Sequence, residues 1–116
     1  MAYESLASNL LLGAADTRKF ETSRPVSMAG ANSVQTTVTV IRTSAGADTL
    51  NVHVEGVDNP NKRWQSITSF SAGSTAQAIT ATVAVPFAWA RLGYEYTALA
   101  AGKDLVLDAD INTSLT

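Results

Sequence analysis

Apolar and polar residues alternate with a period of two through most of this chain. In residues 50–56, Leu50, Val52, Val54 and Gly56 fall on one parity, with Asn51, His53 and Glu55 on the other. Successive side chains of a strand leave opposite faces of a sheet, so this spacing predicts a strand with one buried face. Residues 34–42 repeat it, Val34, Thr36, Val38 and Val40 alternating with Gln35, Thr37 and Thr39. Their β-branched content suits a pleated, half-buried surface. Ile79, Ala81, Val83 and Val85 alternate with Thr80 and Thr82 until Pro86 ends the run. Residues 87–97 are rich in aromatics: Ala88, Ala90, Leu92, Tyr94 and Tyr96 share one face, Phe87, Trp89, Arg91 and Glu95 the other. Leu105, Leu107, Ala109 and Ile111 mark a last strand, with Val106, Asp108 and Asp110 pointing away.

Turn chemistry separates these runs. Asp58-Asn59-Pro60-Asn61 favours a turn through side-chain-to-backbone bonds and a fixed proline φ. Ala29-Gly30-Ala31-Asn32 makes another, and small-residue linkers lie at 43–48, 71–76 and 98–102. Trp64 opens the next apolar segment and is expected to anchor the core, so that Trp64→Ala costs roughly 3–5 kcal/mol. Pro25 lacks the amide donor of a central ladder position and belongs on an edge or at a strand start.

Residues 1–19 are the least regular. Leu6 and Leu10 sit one helical turn apart, yet a short strand at 9–12 fits equally well. The consecutive Leu10, Leu11 and Leu12 require burial, against this domain or against a neighbour. We read residues 1–19 as an N-terminal arm, a docked edge strand being the alternative, and residues 20–116 as the folded domain. Leu6, Leu10, Leu11 and Leu12 are the candidate partner contacts of the arm, and removal of residues 1–13 is expected to leave the domain folded. The fold class expected is all-β: a two-sheet antiparallel β-sandwich, jelly-roll-like, with an irregular N-terminal arm, the spacing alone leaving jelly-roll, immunoglobulin-like or other connections open.

A chain of 116 residues supports one domain with a genuine core. With 46% hydrophobic and 16% charged residues it is no disordered polyelectrolyte. The leucine run is far below a membrane span, and no Lys or Arg precedes it, so neither a membrane segment nor a secretory signal is expected. A net charge of −2 argues against nonspecific nucleic-acid binding, which needs a concentrated basic surface. Absence of cysteine removes disulfides and thiolate metal sites. So few charges over Ala-, Ser- and Thr-rich faces suit a surface partly covered by another subunit, and a homo-oligomer is expected.

Candidate chemistry is sparse. His53 and Glu55 share a strand face but supply two metal ligands at most. Asp108 and Asp110 project together, roughly 7 Å apart by the strand rise. Such a pair serves glycosidases or a cation, but alternating acids on an exposed strand more often discourage edge pairing. Asp58-Asn59-Pro60-Asn61 offers oxygens to calcium without the spacing of an EF-hand loop. Trp89 and Arg91, with Phe87 adjacent, form the best interface or ligand-stacking candidate, because an aromatic beside a guanidinium stacks on a sugar, a base or another protein. No catalytic residue, metal or cofactor is expected.

Three segments, VHVEGVDNPNKRW, FAWARLGYEYT and KDLVLDADINT, carry a resemblance. Together the chain resembles the small β-sandwich proteins of tailed-bacteriophage virions, including capsid decoration (cement) proteins. In these a polar turn leads to a Trp, and a late strand carries an aromatic-Arg-Leu pattern. That resemblance implies a non-enzymatic virion protein on the outer surface of the capsid, assembled in the host cytoplasm. It would form trimers and stabilise the head by bridging subunits of the major capsid protein. The order of segments is also similar to discoidin-like carbohydrate-binding modules, which would use Trp89, Arg91 and polar loop groups. Those modules are usually longer and often carry a terminal cysteine pair, which this chain lacks.

Overall fold

The parities read along the chain become the two sides of two sheets. A computed structural model describes residues 2–13, 18–43, 49–73, 77–97 and 104–115. Of the linkers expected at 43–48, 71–76 and 98–102, residues 44–48, 74–76 and 98–102 lie outside the described residues, as do 14–17 at the end of the arm. Thr43 and residues 71–73 instead extend the flanking strands. Nine strands are present among the described residues: β1 (Ala2–Gly13), β2 (Arg18–Thr22), β3 (Val26–Ser27), β4 (Ser33–Thr43), β5 (Thr49–Val57), β6 (Gln65–Gly73), β7 (Gln77–Ala84), β8 (Trp89–Thr97) and β9 (Asp104–Ser114). The first sheet has the order β1-β9-β4-β7 and the second β2-β8-β5-β6, with β3 also on β8. Every pairing is antiparallel. With β2 and β3 taken as one interrupted strand, each sheet has four, and the chain passes between sheets at nearly every connection. This is the winding of a jelly roll.

The buried parities meet between the sheets. Val34, Val38 and Val40 of β4 and Leu105, Leu107 and Ile111 of β9 face Leu50, Val52 and Val54 of β5 and Leu92, Tyr94 and Tyr96 of β8. Thr36 shares the inward parity of β4 and is fully buried, and its hydroxyl donates to the Asp110 carbonyl at 2.8 Å. That bond removes the penalty of a buried, unpaired hydroxyl.

Pro25 sits where an edge tolerates it, in the break between β2 and β3. Ser23 carries the ladder across the break: its amide donates to the Leu92 carbonyl at 2.8 Å, and its hydroxyl accepts the Leu92 amide at 2.9 Å. Beside it, Arg24 forms an ion pair with Glu4 of β1 and donates to the Ser5 carbonyl at 2.9 Å. The contact ties the rims of the two sheets together.

The structure corrects the irregular arm. Residues 2–13 are β1, an edge strand paired with β9 from Ala2↔Thr113 to Gly13↔Asp104. Register shifts between Ser5 and Ala7, and between Ala7 and Leu10, break its alternation, with Asn9 at a positive φ of 51°. Bulges of this kind shift the inward parity, which is why no period is legible there. Leu12 is fully buried in the core. Removing residues 1–13 therefore strips an edge strand and a core leucine, and is not expected to leave the sandwich intact.

Candidate functional site

The outward parities of β5 and β8 build the most chemically concentrated surface among the described residues. Glu55 and Arg91 are direct cross-strand partners, and Arg91 Nε donates to Glu55 Oε1 at 2.7 Å. The same guanidinium lies over the Trp64 ring, 4.4 Å from its centroid. Trp64 precedes β6 and reaches this outer face, half-buried, so the expectation of a core tryptophan is corrected. A cation held between a carboxylate and a π face is fixed in direction, and its charge is largely answered locally.

One step along the sheet, His53 lies opposite Gly93 and reaches diagonally to Glu95, with Nε2 and Oε1 3.0 Å apart. Diagonal neighbours are within reach of long side chains on one sheet face. Phe20 of β2 pairs with Glu95 and leans across Gly93, its ring 5.9 Å from the His53 ring. Glycine makes this possible: a Cβ at position 93 would stand 2.9 Å from Phe20 Cζ. Trp89 shares the outward parity of Arg91 and is half-buried, while Phe20 stays 47% exposed.

Not every candidate joins this face. Phe87 precedes β8 and packs against the core, over the inward side of Gly56. It therefore belongs to a different surface from Trp89 and Arg91. Of the four leucines expected to meet a partner, Leu12 is core, Leu6 and Leu10 are half-buried against the core, and Leu11 alone is exposed, at 56%. Asp58 serves the turn, its carboxylate accepting the Ala88 amide at 3.2 Å. Among the described residues, no three His, Asp or Glu side chains converge as a metal site requires. His53 and Glu55 turn to different partners, Glu95 and Arg91.

The outer face of the other sheet is different in kind. Asp108 accepts the Asn9 amide at 2.7 Å, and Asp110 accepts the Tyr3 hydroxyl at 3.2 Å. The negative charge of Asp110, with the hydrogen bond its carboxylate accepts, holds the Tyr3 phenol above its usual range. Tyr3, Asp108 and Asp110, with Ser5, Ser8, Thr37 and Thr39, line a cavity of about 130 Å³. Sequence reasoning pairs the two acids correctly on one face but has no signal for the β1 bulge that opens the cleft beside them.

No protein-family model and no curated protein matches the chain. Its fold is similar to that of the solved PBSX exported protein XepA, with a TM-score of 0.68 at 15% identity. The match covers 99% of this chain and 38% of that protein, so the chain spans well under half of its neighbour's length. At that identity the likeness establishes the fold: an all-β, two-sheet antiparallel sandwich.

Proposed function

We propose that this chain is a non-enzymatic structural module of a phage particle, working as an assembled subunit, in the manner of a capsid decoration protein that bridges major capsid subunits. The observation that carries the reading is the whole-chain fold likeness to XepA, an exported protein of the phage PBSX. The Trp64–Arg91–Glu55 and His53–Glu95 face supports it. Trp and Arg are the residues that anchor protein interfaces, and charges already paired within one subunit cost less to cover than unpaired ones. Trp89 and Arg91 stand at the centre of the proposed contact, with the major capsid protein as partner and the particle's outer surface as its place.

The test is cosedimentation of the purified chain with phage heads produced from the same genome but lacking it. The chain should pellet with the heads and raise their disassembly temperature, and Trp89→Ala should weaken both effects. Failure to bind heads or any other particle part would sink the reading. A second reading, carbohydrate binding, is favoured by the half-buried Trp89 beside the hydrogen-bonding groups Arg91, Glu55, His53 and Glu95. A glycan array signal abolished by Trp89→Ala, with no particle binding, would select it.

A further inference from the structure

The edges of a sheet are where chains join, because an edge strand presents unpaired amide and carbonyl groups. Three of the four edges here can be compared by side chain. The β2/β3 edge is interrupted at Pro25 and flanked by exposed Arg24. The β6 edge strand has register shifts at both ends of its pairing with β5. The β1 edge is 12 residues long and contains neither proline, lysine nor arginine. Its first part is broken by the shifts around Ala7, but from Leu10 to Gly13 the ladder with β9 is regular. No charged residue occurs between Ser5 and Gly13. Of these three edges, Leu10-Leu11-Leu12-Gly13 is therefore the most apolar stretch that keeps a regular ladder.

That segment also matches itself. Two copies run antiparallel about Leu11 would place Leu11 beside Leu11, and Leu10 beside Leu12. The inward parity then stays inward across the seam and the outward parity outward. Leu11 points outward, 56% exposed, and lies across from Val106. Val106 in turn pairs with Arg42, beside the β4 irregularity at which Ile41 is 40% exposed. An apolar strip thus runs from the edge onto the outer face, with no charge between Ser5 and Gly13 to oppose a like surface.

We propose that a second copy of this chain docks on the β1 edge, pairing Leu10–Gly13 antiparallel across a twofold axis to join two four-stranded sheets into one of eight. The inference deepens the assembled-subunit reading and rests on it. Its test measures self-association alone, so particle binding can survive its failure.

The chain has no cysteine, so single-cysteine variants give an unambiguous readout. Directly opposed residues of an antiparallel pair have Cα atoms about 4.5–5.5 Å apart, within the disulfide reach of about 4.4–6.8 Å. Leu11→Cys should therefore cross-link to a covalent dimer under mild oxidation. Tyr3→Cys on the same strand, equally accessible at 63% exposure but far from the axis, should not. In sedimentation equilibrium the unmodified chain should show a dimer mass. Leu11→Lys should raise the dimer dissociation constant about a hundredfold or more, as expected when two buried leucines become two apposed charges. Leu11 is exposed in the single chain, so circular dichroism and melting of the separated subunit should not change. A monomer mass at all concentrations overturns the proposal. So does a larger assembly in which the Leu11→Cys variant forms no cross-link, since that marks a head-to-tail contact such as β1 on β7.

Discussion

The two sheets obey the same inward alternation and use their outward positions in opposite ways. On the β2-β8-β5-β6 sheet, outward side chains hold one another: Arg91 between Glu55 and Trp64, His53 with Glu95, Phe20 across Gly93. On the β1-β9-β4-β7 sheet, the outward side chains include short hydroxyls and two aspartates around a polar cleft. The first pattern makes a firm surface whose aromatic area remains available to a partner. The second holds Asp108 and Asp110 through β1, and among the described residues its exposed large apolar side chains are Tyr3 and Leu11 on the edge strand β1 and Ile41 on the inner strand β4. Identical backbone architecture therefore yields one face suited to contact and one sheet suited to edge extension.

The sharpest way to break this comparison lies within β1 itself. Leu12 is fully buried and its neighbour Leu11 is 56% exposed. Leu12→Ala should lower unfolding free energy by about 2–5 kcal/mol, the range for a buried leucine. Leu11→Ala should stay within about 0.5 kcal/mol. Chemical denaturation of the two variants under conditions that keep the chain monomeric checks both. Equal effects would mean that β1 is not docked as a sheet edge.

Next in size is a pair of glycines on the second sheet. A Cβ at Gly56 would stand 2.5 Å from Phe87 Cδ2 and 3.0 Å from Ile67 Cδ1, inside the sandwich. Gly56→Ala must push the Phe87 ring aside, an overpacking cost of about 1–3 kcal/mol. At Gly93 the obstacle is the far end of a half-exposed Phe20 ring, which can swing outward. Gly93→Ala should therefore cost less in a thermal melt, and should release Phe20 from His53. A larger loss at position 93 than at 56 would reverse the distinction between inner packing and outer contact.

Smaller again is the effect expected at Trp64. Held on the outer face by Arg91, it contributes a cation–π contact and partial burial, so Trp64→Ala should cost about 1–2 kcal/mol. A loss of about 3 kcal/mol or more in denaturant titration would restore Trp64 to the core.

These residues also show what the sequence can and cannot convey. β4, β5, β8 and β9 are legible because Val34–Val40, Leu50–Val54, Ala90–Tyr96 and Leu105–Ile111 keep strict parity between two covered sheets. β1 is not, because its bulges around Ala7 shift the inward set to Leu6, Ala7, Leu10 and Leu12, which obey no single period. Extending the parity of β8 two residues before the strand begins puts Phe87 on the Trp89 face, where the structure does not. The candidate face is half visible: Trp89 and Arg91 share a strand, whereas Trp64, His53 and Phe20 reach them through pairing that only the fold supplies. The jelly-roll winding rests on those same long-range pairings.

The smallest effect at neutral pH concerns the interior the two sheets share. Tyr94 is almost fully buried, and its hydroxyl has no hydrogen-bond partner among the described residues. Burial pushes its phenol well above the usual value, and the nearby charge of Glu21 adds to the shift. A buried hydroxyl without a partner carries a desolvation cost, so Tyr94→Phe should be neutral or stabilising by up to about 1 kcal/mol at pH 7. Alkaline solution then separates the variants further. In the unfolded chain the phenol ionises near pH 10, while in the native sandwich it keeps its proton to higher pH. Above pH 10 the native state therefore binds more protons than the unfolded state, and the stability that this group supplies falls as pH rises. Tyr94→Phe removes that loss and leaves Tyr3 and Tyr96 in place. Urea titrations from about pH 7 to about pH 11 should show the two proteins nearly equal at first, with the variant's advantage opening above about pH 10. A constant difference across the range would place the Tyr94 hydroxyl in contact with solvent or with a partner that ionises alongside it.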